Sequence, residues 1–237
     1  MNLLKFSIFL KLATLKIIAF DTSSEYCSIA LGIDGEFLSR EVFAGQRHSE
    51  LLLPMLQELL TQAGLTLVQL DGIAFGAGPG SFTGLRIACG VAQGLAFGSN
   101  LPVIGISTLE ALAQRASNNR VITAIDANMG EIYHAAYVKS ADDWQPVSIP
   151  TLCLPQRAPL VPGGNWVGCG SGFGTYGEAL RSHYGSCITR IESDLKPHAR
   201  EMTLLAEQGF AKGLGVDPAD AVPIYIRNKV ALKESER

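Results

Sequence analysis

Two short segments carry the residue types from which a phosphate site can be built. Asp21-Thr22-Ser23-Ser24 follows an apolar run, 15–20, that reads as a buried strand. Backbone amides and short hydroxyls at such a turn can hold a phosphate, and the Asp21 carboxylate can hold a hydrated magnesium ion. A polar turn that simply ends the strand fits the same residues. The second segment is Gly76-Ala77-Gly78-Pro79-Gly80-Ser81-Phe82-Thr83-Gly84-Leu85-Arg86. It reads as a glycine-rich loop, 76–84, opening a helix over 85–97. Gly78 and Gly80 let the backbone approach a ligand or a neighbour closely, and the helix N–H groups favour anions. Three other motifs are excluded. Gly78, Gly80 and Gly84 are spaced one residue too far for a dinucleotide fingerprint, and no Lys follows Gly84 as in a P-loop. Ser81 lacks the glycine two residues earlier that a hydrolase elbow requires. A strained strand-to-helix turn without any ligand remains open.

Other catalytic chemistry is poorly supplied. The histidines are His48, His134, His183 and His198, and no two share a metal-ligand spacing of about three to five residues. No metal site and no catalytic triad is expected. The five cysteines are an odd number without a Cys-x-x-Cys pair, which points to reduced thiols in a cytoplasmic protein. Nineteen Lys and Arg against 22 Asp and Glu leave a net charge of −3, which argues against a dedicated nucleic-acid binder.

The elements that would position these segments repeat. Strands are expected at 15–20, 27–33 and 36–43, with Asp34-Gly35 as a hairpin turn. A helix over 49–63 stops at Gly64. A strand at 72–75, the glycine-rich loop, the helix 85–97, a strand at 103–106 and a helix over 109–116 complete a β-β-β-α-β-α-β-α unit. After Asn118-Asn119 the pattern restarts. A strand at 121–125 ends at Asp126 as 15–20 ended at Asp21, and Trp166-Val167 runs into another glycine-rich stretch, Gly168 to Gly172. Helices are expected over 176–184 and 199–212, and 146–162 is proline-rich. The expected fold is α/β: a duplicated ribonuclease-H-like fold of the actin-like ATPase superfamily. Its first domain spans 15–118, completed by 222–237, and its second spans 119–221. Residues 1–14 read as an extension ahead of the domain rather than a signal peptide. The uncharged stretch 87–109 contains the turn Gly98-Ser99-Asn100-Leu101-Pro102, so it reads as helix, turn and strand and not as a membrane span.

The helices 49–63 and 85–97 carry more apolar residues than one stripe against a sheet requires. Gly90, Gly94 and Gly98 recur every fourth residue, a ridge that lets another helix backbone approach closely. A docking face is expected from Leu52, Met55, Leu56 and Leu59 of the first helix. From the second it takes Leu85, Arg86, Cys89, Gly90, Gln93, Gly94 and Phe97. Coverage by the second domain or the tail is the alternative.

Residues 17–24, Arg47-His48-Ser49-Glu50 with the Leu-rich helix, and above all 78–86 followed by Gly94 resemble the bacterial TsaB (YeaZ) family of tRNA threonylcarbamoyladenosine biosynthesis proteins. The segments 126–133 and 223–231 are similar to that family's second-domain opening and C-terminal motif, although Asn128 stands where Arg is more usual. The resemblance implies a subunit needed to place threonylcarbamoyl on adenosine 37 of tRNAs reading codons that begin with A. It also implies an inactive paralogue that dimerises with and activates the catalytic subunit TsaD, with the ATPase TsaE joining the complex. Homodimers form when the partner is absent, and tRNA is met mainly through the complex. The family's dimer surface corresponds to 49–63 and 85–97. Where the catalytic paralogue carries its metal-binding histidine pair, this chain reads Ser107-Thr108-Leu109-Glu110-Ala111. Asp21, Thr22, Ser23, Gly78 and Gly80 would then form a vestigial nucleotide cleft with no tightly bound cofactor and at most weak ATP or ADP with Mg. The competing reading is a stand-alone actin-fold small-molecule kinase or ATPase. A metallopeptidase is disfavoured by the histidines.

Overall fold

The computed structural model describes residues 15–33, 35–141 and 143–227. The expected extension 1–14 and the end of the expected tail, 228–237, lie outside the described residues. The chain folds as two five-stranded sheets with one shared plan. In the first, β1 (Lys16–Asp21), β2 (Tyr26–Ile33), β3 (Glu36–Phe43), β4 (Gly72–Gly78) and β5 (Val103–Ser107) lie in the order β3-β2-β1-β4-β5. In the second, β6 (Arg120–Asp126), β7 (Ile132–Ser140), β8 (Asp143–Cys153), β9 (Trp166–Cys169) and β10 (Ile188–Glu192) lie in the order β10-β9-β6-β7-β8. Each is an antiparallel meander of three strands followed by two parallel ones. The duplication read from the restart after Asn119 is therefore real, and the fold is the duplicated ribonuclease-H-like fold in two domains.

Helices α1 (His48–Ala63), α2 (Phe82–Ser99) and α3 (Thr108–Arg115) belong to the first unit. Helices α4 (Ser171–Thr175) and α5 (Gly177–Tyr184) follow in the second, and α6 (Ala199–Ala211) comes after its last strand. Gly64 ends α1 in the left-handed conformation (φ 66°) that glycine adopts without a Cβ clash. α1 and α2 cover the outer face of the first sheet, where Phe20, Ile29, Leu52, Leu59, Phe75 and Ala92 share one core. α4 and α5 cover the outer face of the second, around Trp166, Phe173 and Leu180. α3 and α6 fill the space between the sheets, so Ala19, Ala74, Leu109, Leu112, Val121, Cys169, Met202 and Ala206 form one continuous core. Strands β1 and β4 read as unbroken apolar runs because both their faces are covered.

One boundary moves. The second domain was expected to run to 221, but α6 packs on β1, β2, β4 and β5 of the first sheet. Val216 then pairs with Val103 at that sheet's edge. The chain thus returns to the first unit before Ala199, because the inner face of the first sheet needs an apolar helix and α6 supplies Met202, Leu205 and Ala206. The proline-rich stretch forms most of β8, an edge strand, where the missing N–H groups of Pro146 and Pro150 are tolerated. No helix among the described residues is long and apolar enough to cross a membrane.

Candidate functional site: the interdomain cleft and the open face of helix α2

The glycine-rich loop is shorter than its composition suggests. β4 continues to Gly78, and α2 starts at Phe82 because the Ser81 hydroxyl caps it by accepting from the Gly84 N–H. What the glycines approach is the first hairpin. Ser81 N–H donates to the Ser23 carbonyl at 2.8 Å, and the Thr22 hydroxyl donates to the Gly84 carbonyl at 2.7 Å. A Cβ on Gly80 would stand 2.6 Å from the Ser23 carbonyl oxygen, and one on Gly84 would overlap that of Thr22. Of the two uses open to this loop, close approach to a neighbour is the one seen at Gly80 and Gly84. Gly78 (φ +118°) is similarly pressed, here by the carbonyl of Ile224.

Asp21 does not serve as a metal ligand in this arrangement. It is 1% exposed and lies outside the cleft lining. Its Oδ2 accepts from the Ser23 N–H (3.2 Å) and hydroxyl (2.8 Å), while Oδ1 is buried without a partner, pressed against Gly76. Burial raises its carboxyl from 3.8 to about 7, against the lowering effect of the Ser23 hydrogen bonds. A group that resists ionisation and touches no open volume does not fit a hydrated magnesium ion. Thr22 is likewise buried and committed, and the Ser23 hydroxyl is spent on Asp21. Of the five residues expected at a nucleotide cleft, only Ser23 and Gly80 line it.

The cleft itself is large, about 1080 Å³, and both domains wall it. Ser23, Glu25, Phe82 and Arg86 stand on the first side, with Asp126, Asn128, Met129 and Thr175 on the second, and Lys196 beside them. Asp126 is the counterpart of Asp21 and, unlike it, borders the cleft. Its carboxylate accepts from the Asn128 N–H at 2.8 Å, the Thr175 hydroxyl at 3.1 Å and the Tyr176 hydroxyl at 3.3 Å. Arg86 lies over the Phe82 ring at 4.0 Å and donates to the Tyr225 hydroxyl. Tyr225 and Arg227 come from the segment that resembles the family's C-terminal motif, although neither was singled out from the sequence as a site residue. Among the described residues no group of three or more His, Cys, Asp or Glu is placed to hold a metal ion.

The expected docking face divides in two. Leu52, Met55, Leu56, Leu59 and Cys89 are buried in their own domain's core, and Leu85 is buried at the cleft, so none of the six presents an open side chain on the helix surface. The sheet below α1 is wide enough to take all four α1 side chains, which accounts for the apolar excess. Gln93 is half-buried, tied by its amide to the Ala221 carbonyl at 2.9 Å. Arg86, Gly90, Gly94 and Phe97 are exposed. Among the described residues a Cβ built on Gly90, Gly94 or Gly98 meets nothing within 4 Å, and Phe97 is 83% exposed at the end of that ridge. On α1, Leu53 is 48% exposed, a residue that counting apolar positions did not single out from its neighbours.

A family model for TsaD, described as tRNA N6-adenosine threonylcarbamoyltransferase, matches residues 42–167. The chain is 38% identical over 230 residues to the tRNA threonylcarbamoyladenosine biosynthesis protein TsaB of Escherichia coli, covering 93% of this chain and 98% of that one. It is 37% identical over 233 residues to the TsaB of Haemophilus influenzae, covering 93% and 97%. A solved structure described as YeaZ from Pseudomonas aeruginosa superposes with a TM-score of 0.83 at 40% identity, covering 89% of this chain and 99% of that one. Likeness over nearly the whole length of each shows that the chain belongs to the family of the tRNA threonylcarbamoyladenosine biosynthesis protein TsaB.

Proposed function

We propose that this chain is a non-catalytic subunit of the machinery that attaches threonylcarbamoyl to adenosine 37 of tRNA, and that it acts by docking on and activating the paralogous subunit TsaD. The observation that carries the reading is the uncovered ridge of α2. Among the described residues a Cβ on Gly90, Gly94 or Gly98 meets nothing within 4 Å, and the exposed Phe97 ring closes the row. A second helix can lie backbone to backbone along such a strip, burying the aromatic ring with it. The same strip serves a homodimer when the partner is absent. TsaE joins the TsaD complex in this reading, and tRNA is held mainly by the partners, in keeping with a net charge of −3. Nucleotide binding by this chain is weak, because Asp21 is closed off and the hydroxyls of Thr22 and Ser23 are already donated.

Replacing Gly94 by Glu tests the docking. The substitution places a charged side chain on the ridge, where its Cβ meets nothing within 4 Å among the described residues. Co-elution with TsaD should weaken at least tenfold while the melting temperature stays within a few degrees. Undiminished co-elution refutes the docking face. The absence of catalysis is tested separately, by offering threonylcarbamoyl-adenylate and tRNA to the chain alone. Modification without TsaD sinks the accessory role. Tight magnesium–ATP binding with turnover would instead favour a stand-alone kinase or ATPase.

A further inference from the structure

The segment 221–227 touches both walls of the cleft within seven residues. Its first carbonyl, on Ala221, accepts from the Gln93 amide at 2.9 Å and from the Cys89 thiol at 3.3 Å, both on α2. Ile224 N–H donates to the Ala77 carbonyl at 2.7 Å, adding a contact alongside β4. Tyr225 packs on Phe82 with ring centres 5.5 Å apart, and its hydroxyl accepts from Arg86 Nε at 3.1 Å. Arg227 then reaches the other domain. Its Nη2 lies 2.6 Å from Glu131 Oε2 and donates to the Asn128 carbonyl at 3.5 Å. Helix α2 itself packs chiefly on β4, α1, β1, β5 and the turn at 218–220, all of them parts of the first domain as the structure draws it.

We propose that segment 221–227 is a strap through which docking at α2 sets the position of the second domain's cleft wall, with Arg227 as the positioning residue. This rests on reading α2 as the docking helix. The groups that hold the strap, Arg86, Cys89 and Gln93, alternate along α2 with Gly90 and Gly94, so a partner on the ridge presses on the helix that carries them. The ion pair at the far end is shielded: the Arg227 side chain is 15% exposed and Glu131 32%. A charge-assisted pair of that kind holds geometry better than a fully solvated one. A second ion pair, Lys212–Asp143 at 2.6 Å, also joins α6 to β8 but borders neither the cleft nor α2, and both side chains are solvent-exposed. It supplies the control.

The test is amide hydrogen exchange of the full chain, alone and with purified TsaD. With TsaD bound, amides at 127–131, on the second domain's turn, should exchange at least threefold more slowly. Arg227→Glu should abolish that remote protection while TsaD affinity changes less than tenfold, and Arg227→Glu combined with Glu131→Arg should restore it. Lys212→Gln should leave it intact. Thermal melts confirm that each variant is folded. A complex that forms without slowing exchange at 127–131, or an Arg227→Glu protein that keeps the protection, overturns the strap alone. Failure of any complex to form overturns the docking reading and the strap with it.

Discussion

The two domains share a strand order and differ at the positions where chemistry could reside. Asp21 and Asp126 end corresponding strands, β1 and β6. Asp21 is sealed under Gly76 with an unpartnered oxygen, whereas Asp126 faces the cleft with its oxygens hydrogen-bonded. Two residues before each aspartate the pairing is equivalent, yet Ala19 faces Ala30 and Ala124 faces His134. His134 is fully buried and its Nε2 lies 2.8 Å from the Tyr184 hydroxyl, a polar contact that the first domain lacks at this place. The outer helices differ as well: 16 and 18 residues on the first sheet, 5 and 8 on the second. Duplication has kept the scaffold, which depends on backbone pairing and apolar faces. The polar positions, which the scaffold does not need, have diverged.

That contrast can be broken at the close contacts first. Gly84→Ala forces a methyl into the Thr22 carbonyl, a backbone atom that cannot swing away, and should cost about 3 kcal/mol or more. In the second domain Gly172→Ala meets Ala124 at 2.9 Å and should cost about 1–3 kcal/mol. Urea unfolding ranks the two. An equal loss would show that the first helix start is held no closer to its sheet in the first domain than in the second.

The buried titratable groups should give the domains opposite pH slopes. Burial raises Asp21 from 3.8 to about 7, so the folded state keeps a proton that the unfolded chain releases. Stability from this group falls as pH rises from about 4 to about 7. Burial, helped by the charge of His183, lowers His134 from 6.5 to about 4, so the unfolded chain takes up a proton first. Stability from this group falls as pH drops from about 6.5 to about 4. Each contribution is about 2–4 kcal/mol, and in the intact protein they offset one another. Asp21→Asn should therefore leave a protein that gains stability with rising pH through this window, and His134→Gln one that loses it. Denaturant titrations at pH 4.5, 5.5 and 6.5 read the slopes, and parallel behaviour of the two variants would contradict the assignment.

Smaller effects sharpen the comparison. Asp126→Ala removes an acceptor of three hydrogen bonds and should cost about 1–2 kcal/mol, with chemical-shift changes confined to 126–128 and 175–176. Gly90→Ala fills open space on an exposed helix face and should stabilise the free chain by up to about 1 kcal/mol, the ordinary helix-propensity gain. A loss of stability there would mean that the ridge is covered in the free protein.

Much of this molecule is local information. Alternation and apolar runs announce the strands, Gly64 stops α1, and Asp21 and Asp126 mark the repeat, because hydrogen-bonding geometry and side-chain period act over neighbouring residues. The glycine-rich segment announces itself as a place of close approach, although not what approaches. The sequence could not rank the leucines of α1. Leu52 and Leu53 are chemically equal, and only the position of the first sheet buries one and exposes the other. Nor could it assign α6 to a domain, since an apolar helix satisfies whichever uncovered sheet face lies nearest. The same holds for the two aspartates, which end equivalent strands, one fully buried and the other half-buried at the cleft. Residue type and spacing thus determined the repeated elements and the special character of the glycine loop. Which carboxylate meets the cleft, which ridge stays bare and where the tail is tied were decided by tertiary structure, because burial belongs to the surface that arrives from elsewhere in the chain.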